Sequence, residues 1–232
     1  MQTPPPLSFD FAPWRLSGTV YGTLLNDPAA LAALGDAAHA APYKAPPYAP
    51  VLYVKPRNTL AANGATTAVP ASAPALEIGA SLGIVISRAT CRTSARHAMA
   101  HVAGWTLVAD LSVPHNSFYR PGVRFKALDG SCMLGPRVVP LHVIPDPDAL
   151  TLLVSVPGSG ARNFTTGGMQ RRVTQLIQDV SAFMTLSAGD VLMLGVKAGS
   201  PQATVGDSFT IECAQIGTLQ GHLIAQTLEE VA

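Results

Sequence analysis

Asp110 closes an apolar run, WTLVAD (105–110), and three cations follow within sixteen residues of it: Arg120, Arg124 and Lys126, with Tyr119 beside the first. A carboxylate emerging at the end of a buried strand next to several cations suits a hard divalent ion and a small substrate carrying several negative charges. The same residues also compose a loop whose charges pair with one another, and residue type alone leaves the two readings even. Other candidates are weaker. His97 and His101 sit four apart and share a helical face, but HAMAH lacks the glutamate of the HExxH zinc motif, so they read as ordinary helix surface. The glycines around Ser159 lead into no strand–loop–helix phosphate cradle. Ser112 and Ser181 have no nucleophile-elbow context, so serine hydrolysis has no support.

The elements that must position Asp110 and Lys126 are mostly short strands. Apolar, β-branched runs predict strands at Val20–Leu25, Val51–Val54, Ile84–Ser87, Trp105–Leu111, Val138–Ile144 and Leu150–Val156. Gly189-Asp190 and Gly206-Asp207 are turns that open two more. Met169, Val173, Leu176, Ile177, Val180 and Met184 lie on one helical face, with Thr165 or Thr166 as its cap. Shorter helices are predicted over Asp27–Ala41 and from Ser94 to Val102, the latter stopped by Gly104. Residues 58–75 read as a loop or edge hairpin, and 1–17 as an extended arm because of the PPP run. The result is a β-rich α+β architecture, with the arm followed by a single domain over 18–232.

Composition narrows the function classes. A formal charge of +1 leaves no electrostatic footprint for nucleic acid or anionic lipid. The apolar content of 48% is ample for a core, while twenty glycines and twenty prolines favour many turns over a helical bundle. Cys91, Cys132 and Cys213 form no CxxC pair, so neither a disulfide framework nor a zinc knuckle is indicated. No apolar stretch approaches the roughly 20 residues of a membrane span, and the start, interrupted by Asp10, lacks a signal-peptide core. A cytoplasmic enzyme acting on a small molecule is the expectation.

Five ordered segments then resemble one family, the fumarylacetoacetate-hydrolase-like proteins. They are VADLSVPHNSFYRP (108–121), RFKALDGSCMLGP (124–136), TTGGMQRRVTQLI (165–177), MTLSAGDVLMLG (184–195) and IGTLQ (216–220). PYKAPP (42–47), VLYVKPRNTL (51–60) and SFYRP (117–121) further resemble the N-terminal half of the bifunctional isomerase/decarboxylases of aromatic catabolism. The resemblance implies a mixed β-sandwich roll. It also implies Mg²⁺ or Mn²⁺ held by Glu-x-Glu plus an aspartate, and metal-stabilised enolate chemistry on a 2-oxo acid. By position Asp110 matches the metal-ligating aspartate and Lys126 the catalytic lysine. Arg120, Tyr119 and Thr166 fall in substrate-binding segments.

One departure is large. Aligning LGIVISR (82–88) with the family pattern puts Gly79 and Ser81 where the two glutamates belong. A single carboxylate leaves a divalent ion weakly held or absent in this chain. Glu77 lies two residues away and aims similarly, displaced by ~7 Å along the strand. Two functions follow as expectations. One is a subunit of 2-hydroxyhepta-2,4-diene-1,7-dioate isomerase/5-oxopent-3-ene-1,2,5-tricarboxylate decarboxylase, acting on a 2-oxo di- or tricarboxylate. The other is a degenerate member that scaffolds a Glu-x-Glu partner, as homodimer or heteromer, or only binds a dicarboxylate. Glutamates placed back at 79 and 81 are expected to restore Mn²⁺ affinity.

Overall fold

The computed structural model describes residues 18–119 and 122–227, so the arm and Arg120 lie outside it. Two mixed sheets face each other. The larger orders its strands β2 (Val51–Lys55), β1 (Val20–Leu24), β10 (Val191–Met193), β5 (Leu76–Ile86), β6 (Val102–Ser112), β7 (Cys132–Val139) and β3 (Leu60–Ala62), with β11 (Gln202–Ala203) also on β5. The smaller runs β4 (Thr66–Val69), β13 (Gly217–Ala225), β12 (Ser208–Cys213), β8 (Thr151–Val156) and β9 (Gly160–Thr165). β1 pairs parallel to β10, β3 to β7 and β4 to β13, and the remaining ladders are antiparallel.

Strand alternation decides which face each residue serves. On β5, Leu76, Ile78, Leu82, Ile84 and Ile86 pack with Trp105, Leu107 and Leu111 of β6 against Val154, Phe209, Ile211 and Leu219 of the smaller sheet. Helix α4 (Val173–Ser181) adds Val173, Leu176, Ile177 and Val180 to that core. The opposite face buries Val20, Val85, Val108, Leu134, Val191 and Met193 in a second cluster, against which Tyr53 packs. Covered on both sides, β5 is buried along nearly its whole length, which is why LGIVI reads as a continuous apolar run.

Several sequence expectations shift. α4 is the longest helix among the described residues, but it starts at Val173, with Arg172 at the cap position and the Asp148 carboxylate accepting the Val173 N–H. Thr165 ends β9, and Thr166 is not a cap. Asp27–Ala41 holds only α1 (Pro28–Ala32) and a 3₁₀ turn at Gly35–Ala38, since its alanines offer no apolar stripe to bury. α2 (Ala95–Ala98) passes into a 3₁₀ turn at Met99–His101, and Gly104 is no stop. It lies inside β6, where a side chain would strike the Val139 carbonyl oxygen at 2.3 Å. Val138–Ile144 is the end of β7 followed by a 3₁₀ turn. β3 and β4 join different sheets and form no hairpin. The three cysteines are free, and no helix among the described residues is long and apolar enough to cross a membrane.

Candidate functional site

Asp110 stands near the end of β6, flanked in register by Gly79 of β5 and Cys132 of β7 on the face opposite the main core. Its carboxylate is fully buried and triply bonded. Lys55 Nζ donates to Oδ1 at 3.0 Å, Lys126 Nζ to Oδ2 at 2.8 Å, and the Tyr53 hydroxyl also donates to Oδ2. Lys55, itself fully buried, further donates to the Lys126 carbonyl at 2.5 Å and to Ser131 Oγ at 3.1 Å. Lys126 ends α3 (Val123–Lys126), and its ammonium sits 4.9 Å from the Tyr53 ring centre, a cation–π contact.

The curl of the larger sheet makes this cluster. β2 and β6 are four strand steps apart, about 19 Å in a flat sheet at ~4.8 Å per step, far beyond a lysine's reach. Coiling brings the β2 face over β6, so Tyr53 and Lys55, two apart on one strand, both meet Asp110. Small residues make the room. A side chain at Gly22, the register partner of Tyr53, would enter the Tyr53 ring at 1.9 Å.

Burial by itself would raise the Asp110 pKa, but the Lys126 and Lys55 ammoniums outweigh it and hold the carboxyl well below the usual range. Burial, aided by Asp110, pushes the Tyr53 phenol well above its ordinary value. The Cys132 thiol is pushed up to about 12, chiefly by burial, and is no nucleophile. Two lysines against one carboxylate leave this cluster with one ammonium in excess, and Glu77 supplies a further carboxylate on the wall of the cleft that Lys126 lines.

That cleft has a volume of about 430 Å³ and is bounded by Tyr53, Glu77, Gly79, Asp110, Lys126 and Lys197, among others. A second cavity of about 340 Å³, lined by Leu52, Val54, Pro56 and Val123, shares Tyr53, His115, Phe118 and Lys126 with it. Lys197 is tied to Asp27 at 3.1 Å and to the Gly167 carbonyl at 2.9 Å, closing one wall.

The structure brings Asp110, Lys126, Gly79 and Glu77 together. Ser81 is buried and turned to the backbone, with its hydroxyl accepting the Gly195 N–H at 3.1 Å. Thr166 lies away from the cleft. Its hydroxyl accepts the Leu150 N–H and donates to the Pro147 carbonyl, pinning a loop. Tyr119 is half exposed and packs edge-on to Tyr43, 5.8 Å between centres. Tyr53 and Lys55 were not singled out from sequence. Their signal was a lysine two residues after a tyrosine in an otherwise apolar strand, where alternation puts both on one face.

The architecture is a curled β-roll with a cleft on its coiled face that two lysines and two carboxylates line. Residues 19–224 match the fumarylacetoacetate (FAA) hydrolase C-terminal family, and the chain belongs to that family. It is 32% identical over 211 residues to the 4-hydroxyphenylacetate degradation bifunctional isomerase/decarboxylase of Salmonella dublin, covering 91% of this chain and 48% of that protein. It is 34% identical over 190 residues to the Escherichia coli protein of the same name, covering 82% and 42%. The chain spans about half the length of these curated relatives. The X-ray structure of 5-carboxymethyl-2-hydroxymuconate delta-isomerase from Mycobacterium smegmatis aligns with a TM-score of 0.74 at 25% identity, over 92% of this chain and 81% of that one.

The divalent ion implied by the family does not fit the residues present. Among the described residues no three His, Cys, Asp or Glu side chains come together to hold a metal. Asp110 already spends both oxygens on two ammoniums and a phenol, whereas Mg²⁺ demands further hard oxygen ligands. The glutamate position at 79 is also closed. A Cβ there would lie 2.7 Å from the Asp110 carbonyl oxygen and 3.0 and 3.1 Å from the Val196 methyls. The Val196 methyls stand where a side chain at 79 would begin.

Proposed function

We propose that this chain is the metal-free component of a 2-hydroxyhepta-2,4-diene-1,7-dioate isomerase/5-oxopent-3-ene-1,2,5-tricarboxylate decarboxylase of aromatic catabolism. It works beside a homologous chain that keeps Glu-x-Glu. Its own cleft takes a small 2-oxo di- or tricarboxylate, with the Lys126 ammonium meeting the acid end. Arg120 and Tyr119, which fall by sequence position in a substrate-binding segment, serve the same anion. The observation that carries this reading is the Asp110 carboxylate bound by Lys55, Lys126 and Tyr53 opposite a closed Gly79. Loss of carbon dioxide leaves an enolate, and without a Lewis acid a hydrated lysine stabilises it far less well. The curated relatives, about twice as long, leave room for a second such half.

The purified chain with Mg²⁺ should decarboxylate the tricarboxylate at under about a hundredth of the rate seen after adding its Glu-x-Glu homologue. Turnover by the chain alone within the ordinary enzyme range of ~1–10³ s⁻¹ would overturn the reading.

A further inference from the structure

His115 belongs to none of the contacts described so far, yet it stands where the two cavities meet. Its Nδ1 lies 2.8 Å from the Val113 carbonyl oxygen. A carbonyl can only accept, so Nδ1 carries the proton and neutral His115 presents a bare Nε2. The ring is clamped, stacked on Phe125 at 4.8 Å and 9° and edge-on to Phe118 at 5.5 Å. Nε2 lies toward Gly122. The empty side-chain position of Gly122, on the wall of the second cavity, is 3.7 Å from it. Lys126, which lines both cavities too, offers N–H groups beyond the one spent on Asp110.

We propose that His115 is a catalytic base for proton transfer on a 2-oxo acid bound in this cleft without metal; this rests on the reading of the cleft given above. Nε2 takes a proton from the carbon next to the oxo group. The C–H electron pair becomes the C=C π bond, and the carbonyl π pair moves onto oxygen, which accepts a hydrogen bond from Lys126 Nζ. Nε2–H then returns the proton, either to the same carbon or to the far end of a conjugated system. Nothing is consumed, and the double bonds shift. The apolar second cavity receives the hydrocarbon part of such a molecule, which places the carbon to be deprotonated at the junction where His115 stands. Proton shuttling of this kind needs an oriented base and a donor to the oxygen, both of which the cleft supplies.

The test uses the whole chain in EDTA with 2-oxoadipate as probe. Binding is followed by calorimetry, and deuterium uptake at the carbon beside the oxo group by proton NMR in D₂O. The wild type should exchange well above the buffer rate. His115→Asn, whose amide can still donate to the Val113 carbonyl, should lose about 100-fold in exchange, as removal of a general base does, with affinity within about threefold of wild type. His115→Gln should behave alike, and thermal melts check that both variants fold. Equal exchange by a folded His115 variant, or binding without wild-type exchange, overturns the proposal while leaving the cleft reading intact. Absence of binding overturns both.

Discussion

Lys55→Met should cost about 3 kcal/mol of stability, at the low end of the roughly 3–5 kcal/mol for breaking a buried pair. Lys55 and Asp110 have no exposed side-chain surface, so no water replaces the lost ammonium. Asp110 keeps Lys126 and Tyr53, which holds the loss to that end, while Ser131 and the Lys126 carbonyl each lose a donor. For a chain of this size the melting temperature should fall by about 6–12 °C. Lys126→Met, at the cleft edge with 12% of its side chain exposed, should cost less, about 2 kcal/mol, within the roughly 1–3 kcal/mol of a buried acceptor that loses a partner, because water can reach the vacated position. Equal losses from the two, measured by denaturant titration, would contradict the unequal roles assigned to them. The acid limb provides a second check. The native Asp110 carboxyl stays charged well below the pH at which an unfolded aspartate protonates, near ~4. Its stabilisation is therefore complete above that pH and declines as pH falls toward the native pKa. Lys55→Met should flatten this decline.

The second large effect concerns the missing acids. Gly79→Glu with Ser81→Glu, expected from sequence to restore Mn²⁺ affinity, should instead fail to bind the ion and should unfold the domain or destabilise it by more than about 4 kcal/mol. The Asp110 carbonyl oxygen, 2.7 Å from the new Cβ, is backbone and cannot swing aside. Ser81 is 1% exposed, so a glutamate there buries a charge with no partner. Mn²⁺ electron paramagnetic resonance with a denaturation curve decides it. A folded variant binding one equivalent of Mn²⁺ at micromolar concentration would show that Val196 and β6 yield.

The strands on which the site stands were readable because β-branched runs bounded by Gly and Pro carry their own period. Val51–Val54, Trp105–Leu111 and Leu150–Val156 fall within a few residues of β2, β6 and β8. Asp110 and Lys126 came from motif order, and the structure brings them into contact. Residues whose role depends on sheet curvature were not readable. Nothing local to VLYVK says that Lys55 will reach across four strand steps. Gly104 read as a helix stop and Gly22 as one residue of a strand, but each is a glycine because another chain segment occupies the space of its side chain. The Ala-rich stretch after Asp27 misled for the opposite reason. Helix propensity was high, but without an apolar stripe to bury it yields only short turns.

The curl also fixes an order of assembly. β1, at residue 20, hydrogen-bonds to β10, at residue 191, and only through β10 does it join β5 and β6. Lys55 rides on β2, which hangs on β1. On a ribosome, β1 and β2 therefore cannot take their places in the sheet until β10, 170 residues further on, has followed. The bond from Lys55 to Asp110, 55 residues apart in sequence, closes only once a contact spanning some 170 residues exists. The cleft is thus among the last features to form, and a nascent or truncated chain ending before Val191 has strands but no closed cleft.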